Sequence, residues 1–254
     1  MKQKINIKVP TEWSAITLRQ YLKLLEDLKT YGDSDEGYAA ALLHNLCEFP
    51  PKYLYSMEAS VLSKIKSDIV NFMNKTDLPL QRFINIGGTE YGFEPNLSNI
   101  SYGAYLDISK WDTFQIDANW GKIMSVLYRP VQHKSAGLYE IKGYTGYGDD
   151  DAFLDVTMDI HFGALFFFCS FINGLTERYP ELFEGDAGNS SPHQINFSNK
   201  WKNYSALIQL AGGDIRNIDE ITELPLEKCL LFLAYNSDLN QLQNLIQKEI
   251  MNKR

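Results

Sequence analysis

From Thr17 to Asn74 apolar side chains return at every third or fourth position, and at Phe83 the repeat drops to two before lengthening again. A chain so patterned buries helix stripes against one another and leaves room for only a small sheet. This predicts a mainly α, helix-rich globular fold with a β-hairpin or minor sheet, α+β in class. The first helix is marked by its cap. Thr17 is placed to accept from the backbone three residues on, Gln20 to reach back, and Ile16 to staple onto Tyr21 across the first turn. That helix runs to about Lys29 and breaks at Gly32-Asp33-Ser34-Asp35; a second follows from Glu36 to Cys47 with Ala39, Leu42, Leu43 and Leu46 inward. Proline is preorganised for a first helical turn, so a third helix is expected from Pro51 to about Asn74, burying Leu54, Met57, Val61, Leu62, Ile65, Ile69 and Phe72.

The change of period falls at Phe83-Ile84-Asn85-Ile86 and Thr89-Glu90-Tyr91-Gly92-Phe93, joined by Gly87-Gly88. Two short alternating runs around two glycines read as a hairpin; a phosphate-cradling loop would also need a Lys-Ser/Thr pair opening a helix, which is missing. Ile100-Ser101-Tyr102-Gly103-Ala104-Tyr105-Leu106 then repeats the layout of Ile16 to Leu22, a hydroxyl cap followed by Tyr-Leu at the same offset. Shared capping chemistry is sufficient to explain one short match. A helix from about Thr113 to Tyr128 is stopped by Arg129-Pro130. Residues 131–150 lack helical period, with strand-like alternation at 138–142 and a Gly/Tyr loop at 143–148. Asp149, Asp150 and Asp151 suit the positive end of a long helix over 150–178. Residues 184–199 read as a loop rich in Gly, Asn and Ser, and further helices are expected over 197–210, 223–235 and 237–252.

With 254 residues the chain is read as one large helix-rich domain, 1–254; sub-division into 1–183 and 200–254 around the 184–199 loop is the alternative. Hydrophobic residues at 44% and charged ones at 22% suffice for a substantial core and exclude disorder for most of the chain. The net charge of −8 argues against a surface that gathers polyanions, so nucleic acid is not expected as a partner. Cys47, Cys169 and Cys229 are odd in number and far apart, which suggests neither a disulfide framework nor a zinc ribbon and fits a reducing cytosol. Basic residues open the chain without an apolar stretch of seven behind them, so no secretory signal is read; Ile5, Ile7 and Val9 alternate as in a strand. The most apolar stretch, 163–172, is about half the roughly 20 residues needed to cross a bilayer, and reads as a buried core helix with no membrane partner.

Chemistry-bearing residues are sparse. His44 and Cys47 share a helix face, but two ligands do not make a zinc site, and they read as a half-buried histidine beside a core cysteine. Asp155 and Asp159 lie four apart with His161 nearly opposite, so they read as a solvated stripe; an enzyme or ligand-binding protein using the carboxylates from Asp149 to Asp159, metal-dependent if so, is the alternative function. None of the three cysteines carries a local protease signature, and each reads as a small core residue. No nucleophile elbow, zinc-protease helix, Walker motif or dinucleotide fingerprint occurs, so neither an enzyme nor a cofactor nor a metal is expected. What the chain does have is aromatic surface: 15 Tyr, 14 Phe and 4 Trp, with Tyr139, Tyr144 and Tyr147 close together in sequence. These three, with Arg129, are the candidate partner-binding residues; packing over the core is the competing role for the tyrosines, and anchoring a helix end for Arg129.

Four stretches occur in a recognisable order: Met124-Ser125-Val126-Leu127-Tyr128-Arg129-Pro130, then Phe162-Gly163-Ala164-Leu165-Phe166-Phe167-Phe168, then Leu210-Ala211-Gly212-Gly213-Asp214 before Leu224-Pro225-Leu226. Over about residues 12–236 this order resembles virion-morphogenesis proteins of tailed bacteriophages, most nearly their tail-assembly-chaperone-like members. The resemblance implies a non-enzymatic virion assembly or structural accessory protein. Its partners would be other phage structural or assembly proteins and further copies of itself, and its place the host bacterial cytoplasm or the virion.

Overall fold

The computed structural model describes residues 7–111, 115–183 and 192–252. In chain order its elements are α1 (Leu18–Tyr31), α2 (Asp35–Cys47), α3 (Ala59–Met73), β1 (Phe83–Ile86), β2 (Thr89–Phe93), α4 (Tyr102–Ser109), α5 (Ile116–Leu127), β3 (Tyr128–Ser135), β4 (Leu138–Ile141), α6 (Met158–Arg178), α7 (Pro180–Phe183), α8 (Pro192–Leu210), α9 (Ile218–Glu223) and α10 (Leu226–Asn252). The fold is mainly α with one small antiparallel sheet. By its internal contacts the chain divides into two compact units, and neither is a continuous segment: Met1–Phe93, Thr113–Lys142 and Tyr147–Phe167 form the first; Glu94–Asp112, Gly143–Gly146 and Phe168–Arg254 form the second.

The first unit is built on caps that the residues announce. Thr17 Oγ1 accepts from Gln20 N at 3.3 Å and Gln20 Oε1 accepts from Thr17 N at 2.9 Å, which closes the capping box. Ser34 caps α2 in the same manner. Trp13 sits in the core edge-on to Tyr21, Phe72 and Phe162, among Leu18, Leu24, Leu42, Leu43 and Ile69. Such aromatic clusters add directional contacts to the apolar burial that dominates a core of this kind. The sheet runs β1-β2-β3-β4. Both hairpin turns use two consecutive residues with positive φ, Gly87-Gly88 in one and Ala136-Gly137 in the other, as the twist of a two-residue hairpin requires.

The second unit repeats one device from the first. In the first, the caps of α1 and α6 form an isolated antiparallel bridge, Thr17 with Thr157; Leu18 N donates to Val156 O and Met158 N to Ile16 O. In the second, Ser101 and Pro225 pair at the starts of α4 and α10, with Tyr102 N donating to Leu224 O and Leu226 N to Ile100 O. Each bridge satisfies backbone groups that a helix start leaves without intrahelical partners.

Several expectations are corrected. Residues 7–10 form no strand, although Ile7 and Val9 still pack on the core; Ile5 lies outside the described residues. The third helix is two pieces, a 3-10 turn over Pro51–Ser56 and α3, because Met57 and Glu58 take extended backbone, and Val61 in the first turn of α3 is exposed rather than buried. Arg129-Pro130 does not simply end α5: the chain passes directly into β3, where the Pro130 carbonyl accepts from Lys142 N. Helix α6 begins at Met158 rather than near 150, since Asp151–Phe153 forms a 3-10 turn and Asp155 precedes the helix. Helix α8 starts at Pro192, which takes up the latter part of the expected loop; residues 184–191 lie outside the described residues. The last two helices are one, α10, because no glycine or proline interrupts 226–252.

Candidate functional site

Arg129 and Tyr139 converge on Gly92. Arg129 is Gly92's register partner across the β2–β3 ladder, and the Tyr139 ring lies so close over Gly92 that an added Cβ would meet it at 2.9 Å. Further along the same strand, β3 shifts register against β4 between Val131 and His133, as a bulged strand does. Tyr139 is half-buried, its hydroxyl donates to Phe93 O at 2.7 Å, and its ring stands edge-on to Phe83. Arg129 is also half-buried. Tyr147 is half-buried beside Gly148, whose N–H donates to Ser125 Oγ. Tyr144 belongs to the second unit, where its hydroxyl donates to Asp107 Oδ2 at 2.5 Å.

The carboxylates near α6 go to separate partners. Asp155 pairs with Arg19 at 2.9 Å, and the guanidinium holds its carboxyl below the ordinary value. Asp159 accepts from Gln81 Nε2 and Thr157 Oγ1, and Asp149 accepts from Ala152 N. His161 is fully buried, edge-on to Trp120, with Nε2 hydrogen-bonded to Phe153 O at 3.2 Å. Burial pulls its pKa down to about 4 against the opposing pull of the Phe153 and Val156 carbonyls and Asp159. The imidazole is therefore neutral at physiological pH. Among the described residues no three His, Cys, Asp or Glu side chains group as a metal site would need.

Burial raises the thiols of Cys47 and Cys229 to about 11, which makes them protonated packing groups rather than nucleophiles. Cys169, in contrast, is exposed on α6, and His44 is exposed rather than half-buried. His44 lines a cavity of about 820 Å³ in the first unit, beside Asp27, Glu36, Tyr31 and Tyr55. Asn45 Nδ2 holds Asp27 there at 2.7 Å. Helix α6, which contains the apolar stretch 163–172, is long and apolar enough to cross a membrane by length and composition; in the fold it buries Ala164, Phe168 and Leu175 and exposes Phe166 and Phe167.

The surface that sequence reasoning passed over lies on α8 and α10. Phe197, Trp201 and Tyr204 form a row on α8, 61%, 38% and 46% exposed, with successive ring centroids 6.4 and 5.7 Å apart. Helix α10 leaves Phe232, Tyr235, Leu239, Leu242, Ile246 and Ile250 about half exposed. The signal was available in the spacing: 197, 201, 204 on one helix and 232, 235, 239, 242, 246 on the other follow the helical repeat. Such spacing says that a stripe exists; it does not say whether the stripe faces the core. Neither a family model, nor a curated protein, nor a solved structure matches this chain.

Proposed function

We propose that this protein is a non-enzymatic assembly or structural accessory protein of a tailed-phage particle, working in the host cytoplasm or the virion by binding other particle proteins. The observation that carries the binding role is the aromatic row of α8. Three large rings stand side by side along one helix and each leaves more than a third of its surface to solvent. Large amphipathic rings of this kind are enriched at protein interfaces and supply much of their contact area. The phage setting is supported by the resemblance of the segments at 124–130, 162–168, 210–214 and 224–226. Tyr139 in the first unit and Tyr144 in the second spend their hydroxyls within the protein, and Arg129 and Tyr147 are likewise half-buried.

The test is capture from infected host cells. Tagged wild-type chain is expected to bring down head or tail proteins identifiable by mass spectrometry. A folded Phe197→Ser/Trp201→Ser variant is expected to lose them. Recovery of no particle protein by the wild type, or full retention by the variant, refutes the reading.

A further inference from the structure

We propose that the solvent-facing stripe of α10 pairs with the same stripe of a second copy of the chain. Helix α10 is apolar on two sides. Leu226, Cys229, Leu230 and Leu233 are buried against the second unit. At about 100° per residue, Phe232, Tyr235, Leu239, Leu242, Ile246 and Ile250 centre on the opposite side. From Phe232 to Ile246 the stripe advances by three and four residues alternately, the a/d repeat of a coiled-coil seam, and it extends along the helix for roughly 27 Å to Ile250.

Two observations point to self-pairing. The first is area. Six side chains about half exposed offer roughly 100 Å² apiece, so a pair of stripes removes about 1,200 Å² from water, the lower end of stable interfaces before the flanking rows are counted. The second is charge. Between 231 and 252 the only charged residues are Asp238, Lys248 and Glu249, and the margins are otherwise Asn, Gln and Ser with the exposed Leu231 and Leu245 along one edge. Such a neutral margin has nothing with which to select a strongly basic or acidic partner, and it lets two copies approach although each carries a net charge of −8. A two-fold pair uses the same patch on both sides and closes on itself.

The experiment is light scattering or sedimentation on the purified full-length chain across about 1 to 100 µM. The wild type is expected to approach twice 29.1 kDa at the top of that range and to fall towards 29.1 kDa on dilution. Leu239→Gln/Leu242→Gln, with an unchanged circular dichroism spectrum, is expected to weaken the dimer at least about tenfold. Leu239→Glu/Leu242→Glu and Leu239→Lys/Leu242→Lys are each expected to be monomeric, and their mixture to pair. Three results overturn the proposal: a wild type that stays monomeric throughout, a dimer that none of the substitutions weakens, and a monomer that instead partitions onto phosphatidylcholine vesicles. The measurement uses the chain alone, so a monomeric result leaves capture of particle proteins through α8 standing.

Discussion

Lowering the pH from 7.5 to 5 should destabilise this protein through His161. Its folded pKa of about 4 lies below the ordinary 6.5 because the ring is buried against Trp120, and only the Phe153 and Val156 carbonyls and Asp159 favour its protonation. Between those two values the unfolded chain binds a proton that the folded chain refuses, so stability rises with pH across the window; it is fully present above about 6.5 and is lost as pH falls. Each pH unit inside the window is worth about 1.4 kcal/mol, which gives a loss of about 2 kcal/mol by pH 5 and about 3 kcal/mol by pH 4, levelling off just below that. Urea unfolding of the wild type and of His161→Gln at pH 7.5 and pH 5 isolates the effect, since the amide does not titrate. The variant starts from a lower stability, but its midpoint should move much less between the two pH values. If wild type and variant lose the same stability over that interval, the imidazole is not held neutral and the reasoning fails.

Other substitutions test the packing and the caps. Gly121→Ala and Gly174→Ala both fall inside helices, yet their signs should differ: a Cβ at 121 meets the Asp150 carbonyl oxygen at 2.5 Å, whereas nothing lies within 4 Å at 174. Thermal or urea unfolding should show the first losing about 1–3 kcal/mol and the second gaining up to about 1 kcal/mol. Ala136, with φ of 49° in the β3–β4 turn, should yield about 0.5–1 kcal/mol of stability on replacement by glycine, measured in the same way. Thr17→Ala and Ser101→Ala each remove a capping oxygen, 3.3 Å from Gln20 N and 3.2 Å from Ala104 N respectively. Each should cost about 1 kcal/mol in urea unfolding.

What could be read from the residues was local. Thr17 with Gln20, Ser34, Ser101 and the pair Gly87-Gly88 each act within a few positions, and the helix starts and the first hairpin follow from them. The second hairpin was hidden because Gln132, His133, Lys134 and Ser135 are all exposed, so no alternation marks β3, and Pro130 looks the same in sequence whether it stops a helix or sits in a strand. Pro51–Ser56 was merged with α3 because apolar spacing does not distinguish a 3-10 turn from a further α-helical turn. For the candidate site the limit is different in kind. The spacing on α8 and α10 gives the stripes, but exposure is a property of what the rest of the chain covers, and the tyrosines of 139–147 are half-buried for the same non-local reason. His161 gave no sign of burial among Asp155 and Asp159, whose charges face other partners.

The paired helix starts carry the match between Ile16–Leu22 and Ile100–Leu106 beyond capping chemistry. Capping alone would make Thr17 and Ser101 alike; it would not make each of them bridge the start of a later helix through the same two backbone hydrogen bonds. The later starts resemble each other too. Asp155-Val156-Thr157-Met158-Asp159 and Glu223-Leu224-Pro225-Leu226-Glu227 share the order acidic, apolar, cap, apolar, acidic. Both early caps are preceded by a 3-10 turn, Trp13–Ala15 in one case and Leu97–Asn99 in the other, and Ile16 and Ile100 are both fully buried. Two units built on one nucleus account for all of these correspondences together. The nuclei interleave along the chain, 17 with 157 and 101 with 225, so each must be closed across a segment belonging to the other. Closing contacts so distant in sequence costs chain entropy before any burial compensates. Buried side chains at both bridges, Leu18 and Met158 in one and Tyr102 and Leu226 in the other, supply that compensation where the loops close.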